Sequence, residues 1–382
     1  MQQYRVEFFK NAINEQNNHY LAYAHHDFMD TFVIDDDYLA IQSTVFEIQP
    51  TTKVDTGNFV RILRDDKTYF IGIVSNVAPA EYTTSVTVQP FVSIFDSQML
   101  FDSAVQNQKT LAYSLENILK FYIEANYVNN SDNLQNLPLS VVVPEDEADH
   151  TINWDLNIGV DFLREDGEGA QKVVLNFYNT VIVNALKYYS VSIVPSVDFS
   201  TGLITLTIGK VSGKRVIDAN LDNATITTLK VNDRPKGTNK LIVYDSDTYS
   251  KSAIFYVHPD RTWGPVDENR ILPVSVEITT ASPDPNAEDQ DAAFALAAIE
   301  AAYQSLSGLE WDDLIELECA PNDVLIEPMT IKIGQLVTIY YKEGKYSSIL
   351  TGRTLASDYV KLIFGSERIQ FTKLRASNRK RR

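Results

Sequence analysis

The chain has 382 residues with 51 acids and 33 bases, a net charge of -18, and at ~150 residues per domain its length predicts two or three domains with sizeable cores. The acidic balance argues against a general binder of nucleic acid or anionic membrane, since either needs a basic face. Cys319 is the only cysteine, which excludes an internal disulfide framework and a cysteine-based zinc site.

In chain order, the first hundred residues read as strands. Tyr4 to Phe9 is short and aromatic. Tyr38 to Ile48 alternates through Leu39, Ile41, Thr44, Phe46 and Ile48, and Phe59 to Leu63, Tyr69 to Val77 and Thr84 to Phe95 follow. Period-two apolar spacing rich in Val, Ile, Tyr and Phe marks strands with one buried face, and several of them at close spacing predict a small barrel or sandwich. Ser114 can cap a helix running to about Tyr127, with Leu115, Ile118, Leu119, Tyr122 and Ala125 on one side. Val173 to Tyr188 offers a second helix, followed by a hairpin formed by Val191 to Val194 and Leu203 to Ile208 around Asp198 to Gly202.

Strands return at Thr225 to Val231, Lys240 to Tyr244, Ala253 to Val257 and Leu272 to Ile278. Pro283 to Pro285 then break the chain before the clearest helix, Ala287 to Leu306, which is rich in alanine and stopped by Gly308. Beyond Gly308 the pattern is strand-like to Phe371. The longest apolar run, Ala292 to Ile299, is eight residues, against ~20 for a membrane span. The first residues lack the basic and apolar regions of a secretory signal, so the expectation is a soluble protein made in the cytoplasm.

Two distant segments are alike. Val54 to Ile62 turns at Asp65 to Lys67 and returns from Tyr69; Ile331 to Ile339 turns at Glu343 and Gly344 and returns from Tyr346. Counted from Gly57 and Gly334, each carries an apolar residue, Phe59 or Leu336, then valine, Val60 or Val337, isoleucine, Ile62 or Ile339, and tyrosine, Tyr69 or Tyr346. Each is preceded by an apolar stretch ending in proline, Val45 to Pro50 and Val324 to Pro328. The physical reading is a strand, a turn whose glycine takes positive φ, and a hairpin with one buried face. The expected class is α+β, predominantly β, with two similar small β-barrel domains flanking a mixed α/β middle. Its segments are a first barrel at 1–105, a helix-plus-hairpin region at 106–224, mixed strands ending in a long helix at 225–308, a second barrel at 309–372 and a basic tail at 373–382. The tail holds six bases and no acids, so the remaining chain carries 27 bases against 51 acids.

Catalytic motifs are missing. No nucleophile elbow, P-loop or dinucleotide fingerprint is present. His19, His25, His26, His150 and His258 form no metal-binding pair on a helix, and Cys319 reads as a buried structural thiol in a strand. Acidic groups at Asp35 to Asp37, Glu145 to Asp149, Glu165 and Asp166, and Asp312 and Asp313 leave a glycosidase-like pair open, but none has the spacing of a calcium loop. No catalytic, cofactor-binding or metal residue is assigned, and no cofactor is expected.

The run Phe46-Glu-Ile-Gln-Pro, Gly57-Asn-Phe-Val-Arg-Ile, Tyr69-Phe-Ile-Gly-Ile-Val and Phe91-Val-Ser-Ile-Phe-Asp resembles the first barrel of bacteriophage tail hub proteins. These include the Tal-like tail-tip proteins and the related baseplate hub of contractile tails. Leu325-Ile-Glu-Pro, Ile333-Gly-Gln-Leu-Val-Thr-Ile, Tyr346 to Gly352 and Leu362-Ile-Phe-Gly365 resemble the second barrel. The resemblance implies a structural, non-enzymatic hub in the virion, assembled in the host cytoplasm. It implies a homotrimer whose two barrels per chain make a pseudo-hexameric ring joined to the hexamer of the distal tail protein, with the tape measure protein and receptor-binding proteins as further partners. The ring would close the tail channel and let phage DNA exit without specific binding. Rival readings are a hydrolase of cell-wall glycans using a carboxylate pair and a carbohydrate-binding adhesion protein.

Overall fold

The computed structural model describes residues 4–29, 32–64, 66–102, 114–144, 162–164, 171–198, 200–211, 213–220, 225–232, 239–258, 262–266, 275–306 and 314–365. Strands β1 (Tyr4–Ile13), β2 (His19–Met29), β3 (Val33–Asp37), β4 (Thr44–Ile48), β5 (Phe59–Arg64), β6 (Lys67–Pro79) and β7 (Thr84–Pro90) come first. The middle holds β8 (Gln98–Asp102), helix α1 (Leu115–Tyr127), β9 (Leu139–Val142), β10 (Phe162–Arg164), β11 (Gln171–Asn176), helix α2 (Val183–Tyr189), β12 (Val191–Asp198) and β13 (Leu203–Lys210). Then come β14 (Lys214–Asp218), β15 (Thr228–Asn232), β16 (Lys240–Asp245), β17 (Ser252–Val257), β18 (Trp263–Gly264), β19 (Val276–Ala281), helix α3 (Gln290–Leu306), β20 (Leu314–Cys319), β21 (Leu336–Tyr341), β22 (Gly344–Ala356) and β23 (Val360–Phe364).

The chain forms two compact units, one of residues 1–230 with 316–364 and the other centred on Val231–Ile315. The first unit contains a six-stranded sheet of order β2-β1-β5-β6-β7-β4. Its second large sheet has order β14-β21-β22-β23-β20-β15, with β3 added to β22. Two three-stranded sheets, β10-β11-β8 and β12-β13-β9, complete it. In the second unit α3 lies on the four-stranded sheet β18-β17-β16-β19, and Leu241, Val243, Phe255, Val257, Phe294, Ala298, Ala302 and Leu306 form its core. The chain is thus α+β and predominantly β. Neither large sheet closes on itself among the described residues: the free edge of β5 is taken by β1, and that of β21 by β14.

Local expectations hold where a cap or turn dictates them. The Ser114 hydroxyl accepts the Asn117 N–H at 3.3 Å and starts α1. The β12–β13 hairpin turns where the Asp198 carboxylate accepts from Ser200 and Thr201, with Gly202 at φ 68°. Asp289 accepts from the Asp291 and Ala292 amides and starts α3.

Three expectations are corrected. The helix predicted from Val173 to Tyr188 begins as β11, because its β-branched residues join a ladder with β8; only then does the chain coil, through a π turn at Phe177–Ile182, into α2. Of the strand predicted from Tyr38 to Ile48 only Thr44–Ile48 is one, β4; Tyr38 to Ser43 is irregular chain that leads into it from β3, a strand of the other large sheet. Val324 to Pro328 is a chain of turns, since the Asp323 carboxylate accepts the Leu325 and Ile326 amides at 2.8 Å and Glu327 has positive φ. The missed strand β2 pairs with β1 along its full length.

Buried aromatics tie the first large sheet to the middle. Phe95 is fully buried and meets Phe91, Tyr127 and Phe177 edge-on, with ring centroids 6.2, 5.3 and 6.0 Å away.

Candidate functional site: two hairpin repeats and their junction

The two segments singled out by their glycines fold alike. Gly57 and Gly334 have φ of 86° and 87°, a conformation that glycine adopts freely and other residues do not. The Gly57 amide donates to Val74 O at 2.8 Å and the Gly334 amide to Leu350 O at 2.8 Å. The next residue accepts in return, Asn58 O from the Val74 amide and Gln335 O from the Leu350 amide. In both turns that residue's side chain also closes the loop: Asn58 Oδ1 accepts the Asp55 amide and Gln335 Oε1 the Lys332 amide, each at 3.1 Å.

The likeness extends to the strands. β6 and β22 are each 13 residues long, and each begins ten residues after its glycine. Both carry a bulge midway against the following strand, at Val74/Asn76 and at Leu350/Gly352. The order β5-β6-β7-β4 in one sheet is matched by β21-β22-β23-β20 in the other, with β5-β6-β7-β4 and β21-β22-β23 antiparallel. The strand equivalent to β4 is therefore Leu314–Cys319, and not the Val324 to Pro328 stretch.

Phe59, Val60, Ile62, Val337 and Ile339 are buried, and Leu336 is half-buried. The two tyrosines differ. Tyr69 sits at an extra bulge in the β5–β6 ladder, with its ring buried against Tyr4 and Phe32 and its hydroxyl donating to Ala356 O at 3.3 Å. Burial, with Tyr4 adding to it, pushes that hydroxyl well above the ordinary tyrosine range. Tyr346 stays in its ladder opposite Ile339, half-buried, and folds back over Gly344.

β3 joins the repeats. It leaves the amino-terminal region and adds to β22 of the second repeat, placing Asp36 directly opposite Arg353 and Asp35 opposite Thr354. The Thr354 hydroxyl donates to Asp35 at 2.8 Å, and Arg353 donates to Ile331 O. Burial raises the Asp36 carboxyl above its ordinary value, Arg353 opposes this and Asp37 adds to it. Next in the chain, Tyr38 binds three parts at once. Its amide donates to Thr351 O at 3.0 Å, its carbonyl accepts the Tyr178 hydroxyl at 2.7 Å, and its own hydroxyl accepts the Ile193 amide at 3.0 Å. Asp36, Tyr38 and Arg353 border a cleft of about 230 Å³ lined also by Phe70, Phe91, Met329 and Ile333. Sequence reasoning missed Asp36, Tyr38 and Arg353 as a group. Their local signals are the run of three acids, Asp35 to Asp37, and the lone charge Arg353 in the otherwise uncharged stretch Tyr346 to Ala356.

The other chemistry-bearing residues do structural work. His19 bridges Asn11 and the Asn133 carbonyl, and His258 bridges Thr262 and the Val266 carbonyl. Cys319 is fully buried, and burial, with Asp323 and Glu318 beside it, pushes its thiol up to about 12. Asp37 accepts the Leu39 amide at 2.9 Å. His150 and the acidic groups at 145–149, 165–166 and 312–313 lie outside the described residues. Among the described residues no cluster of three or more His, Cys, Asp or Glu could hold a metal ion, and no helix is long and apolar enough to cross a membrane.

A tail protein from Neisseria meningitidis MC58 superposes over 94% of this chain and 96% of its own, with a TM-score of 0.50 and 12% identity. The chain shares that tail-protein fold. The 43 kDa tail protein of prophage MuSo2 from Shewanella oneidensis aligns over 94% of this chain and 98% of its own at 12% identity, TM-score 0.47. Prophage tail protein gp18 of Listeria monocytogenes EGD-e aligns over 100% and 99% at 12% identity, TM-score 0.47. No protein-family model matches the chain, and no curated protein matches it. Within the tail-protein fold, the repeats around Gly57 and Gly334 lie in one compact unit.

Proposed function

We propose that this chain is a non-enzymatic structural hub of a phage tail tip or baseplate. Three copies around an axis present six like repeats, a pseudo-hexameric ring that joins the hexamer of the distal tail protein, closes the tail channel before infection and lets DNA exit afterwards. The observation that carries this reading is the pair of repeats with the same strand order, bulge and glycine-turn hydrogen bonds. A threefold object can meet a sixfold one only if each chain offers two nearly equivalent surfaces. The ring surfaces are assigned to the strands around Gly57 and Gly334, the segments 1–105 and 309–372. The intervening regions 106–224 and 225–308 support them.

The tail-protein fold is consistent with this role. So is the charge: apart from residues 373–382 the chain holds 27 bases against 51 acids, a balance that disfavours adhesion of DNA in transit. The tape measure protein and receptor-binding proteins are the further partners this placement implies. Antibody labelling of intact virions is expected to decorate the tail tip, and a zymogram on host cell walls to show no clearing. Label confined to the capsid would overturn the hub, and clearing would replace it with the hydrolase reading.

A further inference from the structure

The second compact unit has two layers, and each layer is apolar on both sides. On α3 the inner stripe, Phe294, Ala298, Ala302 and Leu306, is buried on the sheet. The outer stripe, Leu296, Ile299 and Tyr303, is 68%, 50% and 47% exposed, at a spacing that aligns these side chains along one helix face with Glu300 among them. Helix amphipathicity normally leaves that face polar.

The sheet repeats the anomaly. Leu241 and Val243 point towards α3, so Lys240, Ile242 and Tyr244 point away. The register places Ile254 and Ile278 on either side of Ile242, a row of three isoleucines across the outer face. Ile278 is 64% exposed and Ile254 37%. Beside the row, Lys240 lies with its Nζ 5.7 Å from the Tyr256 ring centre, and Val276 stands opposite it in the next strand. A sheet of a layered domain is apolar on both faces when both faces are covered.

The two outer faces complement one another. An apolar helix stripe with one acid, Glu300, fits an apolar sheet face with one base, Lys240, and it would lie there as the inner stripe of α3 lies on the inner face. Because the surfaces differ and sit on opposite layers, the contact they make is head to tail, the kind that forms a ring when the rotation between successive copies closes and an open filament when it does not.

We propose that copies of this chain associate through the second unit, the Leu296–Tyr303 stripe of one copy covering the Ile254, Ile242 and Ile278 row of the next, with Glu300 facing Lys240. The proposal deepens the hub reading by naming where copies touch, and rests on it only for the number three.

The test is a disulfide trap in the full chain, whose own Cys319 is buried. Ile278→Cys and Leu296→Cys are placed on separately tagged copies and co-expressed. The expected product is a covalent dimer carrying both tags, with no dimer from either variant expressed alone; the double variant is expected to yield a covalent three-chain species. Single-variant dimers, or no mixed dimer, overturn the proposal. Leu296→Glu and Ile278→Glu, checked as folded by circular dichroism, are each expected to lower the mass from three times 43.1 kDa towards one. If both variants and the parent keep the trimer mass and no mixed dimer forms, the surface is wrong and the hub reading stands. If the parent chain is a monomer throughout, both fail.

Discussion

Asp36 and Arg353 face each other in the antiparallel ladder that fastens β3, from the amino-terminal region, to β22 of the second repeat. Two charged groups, both half-buried, are more than a cross-strand pair, because each opposes the effect of burial on the other. The Arg353 guanidinium is held below its ordinary value by burial, and Asp36 and then Tyr69 work against that. Arg353→Met removes the charge that opposes the burial of Asp36. Breaking a fully buried pair costs ~3–5 kcal/mol; both side chains here are half-buried, so the expected loss is smaller, ~2 kcal/mol. Urea unfolding of the variant checks it; a loss below ~1 kcal/mol would show that the pair does not hold the junction.

The same pair gives a pH dependence of known sign. Burial raises the folded-state Asp36 carboxyl above its unfolded value, so the folded protein binds its proton more tightly. That contribution to stability is fully present below the unfolded carboxylate value and is lost as pH rises through the raised folded one. The urea midpoint of the parent relative to Asp36→Asn is therefore expected to be higher at acidic pH than at neutral pH. A difference constant across that range, or of opposite slope, contradicts the assignment.

The glycine turns make a graded pair. A side chain at φ near 86° costs ~1–2 kcal/mol at either position. A Cβ at Gly57 meets nothing within 4 Å, whereas at Gly334 it comes 3.1 Å from Leu186 and 3.3 Å from Val211. Overpacking adds ~1–3 kcal/mol. Gly334→Ala is thus expected to destabilise more than Gly57→Ala, measured as the change in urea midpoint; equal losses would show that the packing around Gly334 yields.

Tyr38→Phe removes the acceptor of the Ile193 amide while keeping the ring. An orphaned buried N–H costs ~1–3 kcal/mol, and the amide exchange of Ile193 is expected to quicken more than that of its strand neighbours. Unchanged protection at Ile193 would mean that the hydroxyl does not hold β12.

Cys319 offers a quick chemical check. With its thiol pushed up to about 12 and no exposed surface, it is expected to resist alkylation in the folded protein at pH 8 and to react fully in denaturant. Rapid labelling of the native chain would contradict its place in β20.

Reading the residues in order recovered the repeats because hairpins with one buried face write themselves as alternation, and because Gly57 and Gly334 mark the two turns. It recovered α1 and α3 through Ser114 and the alanine-rich run. It failed where pairing in space overrides local pattern. β2 carries polar and aromatic residues on both sides and becomes a strand only beside β1. Val173 and Val174 are claimed by β8 before they can join a helix. Val324 to Pro328 has the composition of a strand, but Asp323 takes the amides that a ladder would need. The junction of Asp36, Tyr38 and Arg353 joins residues more than three hundred positions apart, so no local window contains it.

The central claim is that two like repeats per chain let a threefold assembly meet a sixfold ring. Sedimentation of the full chain, alone and with the hexameric distal tail protein of the same virion, tests it most directly. The account predicts three times 43.1 kDa for the chain alone and a complex of one trimer with one hexamer. A stable monomer at high concentration that forms no complex with the hexamer would contradict it.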